Sequence, residues 1–338
     1  MNIFIIIIPS IIVIASIIFT SLQEDEKIVR IGYFPNVNHA PAIVAIYNKS
    51  FAKALNEIGY KVEYVRFNSG TEAIQSLMGK NVDITYTGSV PAIIGHIKSE
   101  KMIKIIAGAS SGGSLFIVRN DLEIDDVKDL ANKKIVAPDY GNTQDVSLRS
   151  YLIENGLKTK AQGGNVDVLY AHGSETLILL SKNSIDGAWV AEPWATILLK
   201  NSNSKVFIDE RELWNGSKFA TTVIASRDDF ITKEREAVER ILQVHVDTIR
   251  WINEHKVDTA IIVERHIEDV TKKEIASDII ADSLTKLDFT YEPMLDSLST
   301  FARKMYLIGI FNNEPDITDI YYQPLLESIL EDDRNGQT

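Results

Sequence analysis

Short apolar segments alternate with amphipathic segments over the first two thirds of the chain. Short runs of apolar, mostly β-branched residues predict strands, and longer amphipathic or apolar stretches predict helices. The predicted strands lie at 27–33, 61–67, 83–86, 103–109, 115–119, 134–137, 166–170, 186–190 and 219–226. Predicted helices lie between them at 40–56, 70–78, 126–130, 143–155 and 174–181, and a further helix begins near residue 88. This alternation is typical of an α/β fold with mostly parallel sheets.

The pattern changes after residue 232, where amphipathic helical periodicity replaces the alternation. Five helices are predicted, at 232–255, 257–267, 272–286, 292–308 and 316–331. No internal repeat, low-complexity tract or Gly/Ser-rich linker separates the parts of the chain. We therefore expect two lobes joined by crossing strands, with the best candidates at 114–120 and 218–226. Periodicity alone is equally compatible with two successive domains.

The first residues form a separate segment. Residues 3–19 are almost wholly apolar, no Lys or Arg precedes them, and the acidic run 24–26 follows. The stretch is short for a membrane span, which needs about 20 residues, and long for the core of a signal peptide. We interpret 1–27 as an uncleaved signal anchor, with a cleaved signal peptide as the alternative. Either interpretation places the chain from about residue 28 outside the cytoplasmic membrane, anchored or secreted.

Composition and motifs exclude several classes of function. The formal net charge of −12 argues against a nucleic-acid partner, which would require a basic face. The chain has no cysteine, so disulfides, thiol nucleophiles and thiolate metal sites are absent. The histidines show no metal-ligand spacing, and there is no Gly-x-Ser-x-Gly elbow, P-loop or Rossmann glycine pattern. We therefore predict no catalytic residue, metal or cofactor.

Polar loops follow several predicted strands. The loops at 36–39, 68–71, 87–89 and 110–113 carry Asn, Ser, Thr, His and Gly, and a comparable loop lies at 141–144. Ser, Thr and Asn cap helix N-termini, whose free N–H groups attract anions, and glycine lets a ligand approach the backbone. Each loop taken singly reads as an ordinary turn. Together, at the ends of successive strands, they indicate a ligand cleft.

Two segments carry a more specific signal. The first reads Ala-Pro-Asp-Tyr-Gly-Asn-Thr-Gln-Asp over 137–145, and the second reads Ile-Asp-Gly-Ala-Trp-Val-Ala-Glu-Pro-Trp over 185–194. The pair resembles the solute-binding proteins of ABC importers for sulfonates, taurine, nitrate and thiamine-type pyrimidines. That family shows Gly-Ser/Asn-Thr-Gln-Asp and, later, Ile/Val-Asp-Ala-Ala-x-x-x-Glu-Pro-Trp/Phe/Tyr. This chain departs from the second pattern mainly at Gly187.

The resemblance implies a fold and a division of the chain. It implies a two-lobed type II periplasmic-binding-protein fold of the α/β class, with two crossing strands and an interlobe ligand cleft. Lobe 1 would be discontinuous, at 28–113 plus 227–334. Lobe 2 with its hinge strands would span 114–226, and 335–338 would be a tail. The match is good over 28–230, and the C-terminal helices are compatible with it but unspecific.

The resemblance also implies which positions line the cleft. These are Asn38, His39, Ser69, Gly70, Thr71, Gly88, Ser89, Gly112, Thr143, Gln144, Glu192 and Trp194. Glu192 has two interpretations, as an acceptor for a ligand amine or ring N–H, or as a group that caps or orients the segment after it. Trp194 is a candidate stacking wall or a core residue, and Trp189 is interpreted as a core residue. Arg149 is expected to face solvent or the opposite lobe.

The implied function is capture of a small solute and its delivery to an ABC permease in the membrane by a monomeric binding protein. The loop at 142–145 most resembles the aliphatic sulfonate and taurine branch. Nitrate, bicarbonate or a pyrimidine related to thiamine are the alternative ligands. An enzyme on the same fold is a different class of function, but the related enzymes rely on cysteine, which this chain lacks. The ectodomain of a signalling receptor is a third and weaker interpretation.

Overall fold

Two mixed β-sheets divide the molecule into two lobes in the computed structural model, which describes residues 27–336. The sheet of lobe 1 has six strands in the order β11-β4-β10-β3-β1-β2. Its strands are β1 (Lys27–Tyr33), β2 (Tyr60–Arg66), β3 (Ile84–Gly88), β4 (Ile103–Gly112), β10 (Ala220–Arg227) and β11 (Leu287–Phe289). The sheet of lobe 2 has five strands in the order β7-β6-β8-β5-β9. Its strands are β5 (Ser114–Arg119), β6 (Lys134–Ala137), β7 (Asp167–Tyr170), β8 (Gly187–Ala191) and β9 (Ser204–Asp209).

The chain crosses between the lobes twice. It first crosses at Gly113, the single residue between β4 and β5, and it returns over 210–219 before β10. The predicted crossing strands therefore each lie within one sheet, and the crossings fall immediately before them. β5 is antiparallel to β8 and β9, and β10 is antiparallel to β3 and β4. The expectation of mostly parallel sheets is wrong for this reason, because each crossing strand enters its sheet in the opposite direction.

Helices cover both sheets. The helices of lobe 1 that precede the first crossing are α1 (Ala40–Tyr47), α2 (Ser50–Asn56), α3 (Gly70–Met78) and α4 (Ser89–Lys98). Lobe 2 contains α5 (Thr143–Glu154), α6 (Gly173–Ser181) and α7 (Trp194–Asn201). The chain then returns to lobe 1 with α8 (Asp228–Lys233), α9 (Arg235–Glu254), α10 (Lys256–Thr271), α11 (Ser277–Leu284), α12 (Leu295–Leu307) and α13 (Gln323–Gly336). No helix within 27–336 combines the length and the apolar character that a membrane crossing requires.

The apolar faces of these elements form the cores of the two lobes. In lobe 1, α9 buries Ile241, Leu242, Val246 and Ile249 against α1 and α2. This apolar spacing of three or four residues is that of a helix with one buried face. In lobe 2, the fully buried Trp189 of β8 stacks on Phe116 of the neighbouring strand β5, as expected of a core residue.

The differences from the predicted elements are local. The predicted helix at 40–56 is two helices, because Lys49 has a left-handed backbone (φ 58°) that ends the first. Lys272 also has a left-handed backbone (φ 57°), so the segment predicted as one helix at 272–286 becomes a loop followed by α11. Strands β9 and β11 were not predicted. β11 has only three residues, too few for a periodic pattern.

Candidate functional site

A cleft of about 910 Å³ lies between the lobes. Residues of both lobes line it. Lobe 1 contributes Phe34, Pro35, Asn36, Asn38, His39, Arg66, Phe67, Asn68, Gly70, Gly88, Pro91, Thr221, Thr222, Ile267, Val270, Thr271, Lys273, Glu274, Ile275, Ala276 and Ile279. Lobe 2 contributes Pro138, Asn142, Thr143, Gln144, His172, Gly173, Ser174, Leu177, Val190, Ala191, Pro193, Trp194, Ile197 and Asn201.

Several helices begin at this cleft. The lining includes Gly70 of α3, the cap Gly88 of α4, Thr143 of α5, Gly173 of α6 and Trp194 of α7. Each helix N-terminus carries unpaired N–H groups and the equivalent of about half a positive charge. Their convergence from both lobes makes the cleft favourable for a negatively charged group.

Buried donors without partners lie at the same helix starts. Thr143 is 3% exposed, and its Oγ1 has no hydrogen-bond partner within residues 27–336. The same holds, across this part of the chain, for Ser89 Oγ on α4 and for both amide atoms of Asn38. Buried polar groups are nearly always hydrogen-bonded in native proteins. Thr143 and Asn38 line the cleft, so their unused hydrogen-bonding capacity is available for a ligand, whereas Ser89 is fully buried and lies outside the lining.

Gly88 allows the two lobes to approach at this point. A Cβ atom at position 88 would lie 2.9 Å from Thr143 Oγ1, closer than real contacts allow. Asn38 also lies near the crossing point, because a Cβ at Gly113 would lie 3.4 Å from its Nδ2. Asn38 thus lies next to the first interlobe crossing, and Thr143 lies against the start of α4.

Asp145 fixes the loop that presents Thr143. Its backbone N–H donates to Asn142 Oδ1 at 2.8 Å, and its Oδ2 accepts from Gly141 N at 2.8 Å. Tyr170 and Arg149 donate to the same carboxylate. Arg149 does not face solvent, because it is 6% exposed and pairs with Asp145 of its own lobe. Sequence reasoning assigned no role to Asp145, although the aspartate belongs to the family pattern.

His39 lines the cleft as a neutral ring. It stacks on Phe34 with 4.4 Å between ring centroids, and its Nδ1 accepts from Phe34 N at 3.4 Å. Burial lowers the pKa of His39 to about 3, so its imidazole is uncharged near neutral pH. The cations of the described lining are Arg66 and Lys273, both exposed. The Arg66 guanidinium donates to the Val270 carbonyl at the rim.

Trp194 forms part of the wall of the cleft in lobe 2. Its indole is only partly buried, and it lies over the start of α6. A Cβ at Gly173 would fall 1.9 Å from the Trp194 ring, so glycine is required there for this position of the indole. Trp189 has a different environment, in which its Nε1 donates to Glu210 at 2.7 Å inside the core of lobe 2.

Glu192 is fully buried and does not line the cleft. Its carboxylate accepts from Thr196 N at 3.0 Å and from Thr196 Oγ1 at 3.0 Å, at the start of α7. Ser283 Oγ donates to it at 3.1 Å, and Lys286 Nζ lies 3.2 Å away, both from lobe 1. The observed geometry corresponds to the capping interpretation, with an added link between the lobes.

Four further predicted positions lie outside the lining, and one of them is the fully buried Ser89 of α4. Ser69 uses its hydroxyl to cap α3, where it accepts from Glu72 N at 3.2 Å, and Thr71 is exposed on that helix. Gly112 ends β4 beside the first crossing. The structure adds lining residues that sequence reasoning missed, chiefly Arg66, Thr221, Thr222, Lys273 and Glu274. Thr221 and Thr222 begin β10, so their place just after a crossing was the available signal.

The described residues offer no group for a metal. Across 27–336, no three His, Asp or Glu side chains are arranged to hold an ion. The arrangement that the structure does show is one of neutral donors and helix N-termini around a cavity, which suits reversible binding of an anion.

The two lobes and the cleft between them are those of the periplasmic-binding-protein fold. The chain is similar in structure to the periplasmic aliphatic sulphonate binding protein SsuA from Escherichia coli, with a TM-score of 0.73, 16% identity, and coverage of 88% of this chain and 92% of that one. It is also similar to the periplasmic nitrate-binding protein NrtA from Synechocystis PCC 6803, with a TM-score of 0.73, 16% identity, and coverage of 91% and 89%.

The chain belongs to the NMT1-like family, whose model matches residues 22–265. In sequence it is similar to the taurine-binding periplasmic protein of Escherichia coli (strain K12), with 26% identity over 234 residues, which is 69% of each chain. It is also similar to a candidate aliphatic sulfonates-binding protein of Bacillus subtilis (strain 168), with 22% identity over 93% of this chain and 91% of that protein.

Proposed function

We propose that this protein is the extracytoplasmic solute-binding component of an ABC importer, and that it captures a small oxyanion such as an aliphatic sulfonate or taurine. The observation that carries the proposal is the unpartnered, buried Oγ1 of Thr143, at a helix start that faces the start of α4 across the cleft. Asn38 adds a donor of the same kind. The sulfonate-binding and taurine-binding relatives support the same class of ligand.

The energetics of such a site are adequate without a buried cation. A hydrogen bond to a charged group contributes about 1.5–3 kcal/mol. Micromolar binding requires about 8 kcal/mol, which several such bonds supply. Because His39 is neutral, the oxyanion is held by dipoles and N–H groups, with the exposed Arg66 at the rim adding long-range attraction.

We propose that the protein acts as a monomer and delivers its ligand to the permease of the same importer. We propose no contact with nucleic acid. The apolar residues 3–19 would anchor the protein to the membrane or direct its export, so the two lobes would lie outside the cytoplasmic membrane. The periplasmic relatives support this location. The division into 28–113 plus 227–334 and 114–226 changes at one boundary, because β10 lies in the sheet of lobe 1, and we propose 28–113 plus 220–334 and 114–219 as the lobe boundaries.

A pyrimidine is the second candidate ligand, and Trp194 is the observation that favours it. A partly buried indole in the wall of the cleft could stack on a flat ring. A pyrimidine amine also requires a hydrogen-bond acceptor. The candidate acceptor, the Glu192 carboxylate, is already bound by Thr196, Ser283 and Lys286. We therefore favour the oxyanion.

A ligand screen tests the proposal. The purified protein is heated with methanesulfonate, taurine, nitrate, bicarbonate or a thiamine-type pyrimidine, with chloride at the same ionic strength as the control. A ligand present at 100 times its dissociation constant stabilises the folded state by about 2.7 kcal/mol. We expect a rise in melting temperature with a sulfonate, confirmed by calorimetric titration. Stabilisation by the pyrimidine with none of the anions would refute the oxyanion assignment.

A further inference from the structure

Glu210 is a buried carboxylate at the start of the return crossing. It follows β9 directly, and it is fully buried. Its Oε2 accepts from Trp189 Nε1 at 2.7 Å, and its Oε1 accepts from Ser147 Oγ on α5. Burial raises the pKa of Glu210, whereas hydrogen bonds from Ser147, Ser114 and Trp189 lower it. A buried carboxylate is unfavourable without such partners, and here three donors converge on one group.

Two of these partners lie on elements that shape the cleft. Ser114 is the first residue after Gly113, where the chain makes its first crossing. Ser147 lies four residues after Thr143, so the two side chains are neighbours on the surface of α5. One carboxylate therefore joins both crossings to the helix that presents the unpartnered Thr143 hydroxyl.

Both crossings are short. The first is Gly113 alone. The second has only residues 211–213 between Glu210 and Trp214, which already packs on Phe301 of α12 in lobe 1, with 4.7 Å between ring centroids. Short connections leave little slack, so the direction in which they leave lobe 2 determines where lobe 1 lies against it.

Glu210 is not simply the counter-ion of a lysine. Lys304 of α12 attracts the carboxylate from lobe 1. However, Lys304 Nζ lies 3.3 Å from a Glu154 carboxylate oxygen and 3.2 Å from Ser150 Oγ, so its charge already has partners on α5. The hydrogen bonds that Glu210 accepts come from neutral groups, and the strength of such bonds depends on their direction. Their loss therefore changes orientation more than charge.

We propose that Glu210 is a positioning residue for the ligand, which holds α5 and its Thr143 hydroxyl in place relative to both crossings. This inference rests on the proposed binding of an oxyanion at Thr143. A hydrogen bond weakens steeply as its donor turns away, so a binding residue must be held to within about 0.5 Å. Asp145 fixes the loop before Thr143, and Glu210 fixes the helix after it through Ser147. The bond from Trp189 stabilises the core of lobe 2 and does not orient α5.

The test compares variants that each remove one hydrogen-bond partner of Glu210. The purified full-length protein is titrated calorimetrically with methanesulfonate and with taurine. In Ser147→Ala and in Ser114→Ala, we expect affinity to fall about fivefold, the equivalent of one lost hydrogen bond. Trp189→Phe is the matched control, because it removes a donor to the same carboxylate and keeps a ring against Phe116. It should lower the melting temperature and leave affinity unchanged.

A double variant shows whether Ser147 acts through Thr143. Thr143→Val removes the hydroxyl that Glu210 positions. Ser147→Ala should therefore cost clearly less affinity in the Thr143→Val background than in the wild type, because residues that act through one another are not additive. A purely structural defect would weaken binding equally in both backgrounds.

Trp189 provides a spectroscopic readout of the same link. Its indole N–H donates to Glu210, so its NMR resonance reports on that carboxylate, and Trp189→Phe assigns the signal by removing it. Methanesulfonate should shift this resonance in the wild type. The shift should disappear in Ser147→Ala, because α5 is then no longer bonded to Glu210.

The outcomes separate this inference from the proposed function. Unchanged affinity in folded Ser147→Ala and Ser114→Ala, or an equal loss in Trp189→Phe, would overturn the positioning role and leave the oxyanion site standing. Equal losses in the two backgrounds of the double variant would also overturn it. If the folded wild-type protein binds neither methanesulfonate nor taurine, the proposed function and the positioning role fail together.

Discussion

The loop around Thr143 and the segment around Glu192 have equivalent places in lobe 2. Each follows a strand of the same sheet, and each lies at the start of a helix. Their polar side chains nevertheless differ in whether they have hydrogen-bond partners. Thr143 Oγ1 is buried without a partner in the described chain, whereas the Glu192 carboxylate accepts from Thr196 and Ser283 and pairs with Lys286.

This difference distinguishes a side chain that is available to a ligand from one that stabilises the fold. A hydroxyl with unused hydrogen-bonding capacity costs free energy in the empty protein and recovers it when a ligand arrives. A carboxylate with all its partners in place has nothing more to offer a ligand, but it holds α7 to α11 of the other lobe. Variants at the two places should therefore affect different measured quantities.

The largest effect is expected from Lys286→Met, which leaves the buried Glu192 carboxylate without its cation. Removing one partner of a buried ion pair costs about 3–5 kcal/mol, and we expect about 3 kcal/mol because Thr196 and Ser283 remain as donors. The measurement is the free energy of unfolding in urea. Lys200→Met is the control, since Lys200 pairs with the exposed Asp278 and Asp282 between the same two helices. Surface pairs contribute little, so no measurable loss is expected there.

A result in which Lys200→Met destabilises the protein as much as Lys286→Met would contradict this account. It would mean that the two helices are held by their rim charges and that burial of Glu192 has no special part in joining the lobes.

The second prediction concerns Thr143→Val, which removes the unpartnered hydroxyl and keeps the shape of the side chain. Affinity for methanesulfonate should fall by about 1–3 kcal/mol, while the free energy of unfolding stays the same or rises. Thr176→Val is the matched control. Thr176 Oγ1 is buried on α6 and donates to the Ala171 carbonyl at 3.0 Å, so its loss should lower stability and leave affinity unchanged. Equal effects of the two variants on affinity would remove Thr143 from the site.

Periodicity predicted the strands that lead to the cleft, because strand periodicity and helix-start residues are local properties, whereas the two-lobed fold was implied by the resemblance to a known family. The sequence also placed Asn38, His39, Gly70, Gly88, Thr143, Gln144 and Trp194 on the elements whose residues line the cleft. It could not show that the Ser69 hydroxyl accepts a hydrogen bond from Glu72 N, or that Lys286 pairs with Glu192. Those contacts depend on side-chain direction and on residues distant in sequence.

The direction of the strands within each sheet also could not be predicted from local sequence patterns. The predicted positions of β5 and β10 are nearly those observed, but their antiparallel pairing follows from where the chain crosses between lobes. Likewise the lining residues of the segment 267–279 lie after the second crossing, in a region where sequence periodicity indicated only helices.

The smallest expected effect on affinity concerns pH and the lining residue His39. Burial lowers the pKa of His39 to about 3, so the ring stays neutral in the folded protein well below its ordinary value of 6.5. Methanesulfonate affinity should therefore change less than about twofold between about pH 8 and pH 5.5, a range in which an ordinary histidine gains its charge. Stability should behave differently. The contribution of His39 is complete above about pH 6.5 and is lost as the pH falls towards 3, by up to about 1.4 kcal/mol per pH unit, because the unfolded imidazole takes up a proton that the folded one does not. Titration calorimetry at the two pH values and urea unfolding over the same range measure the two quantities. A tenfold gain in affinity at the lower pH would show that a histidine of the lining, His39 or His172, acts as a cation towards the ligand, and the oxyanion would then be held by charge as well as by neutral donors such as Thr143 and Asn38.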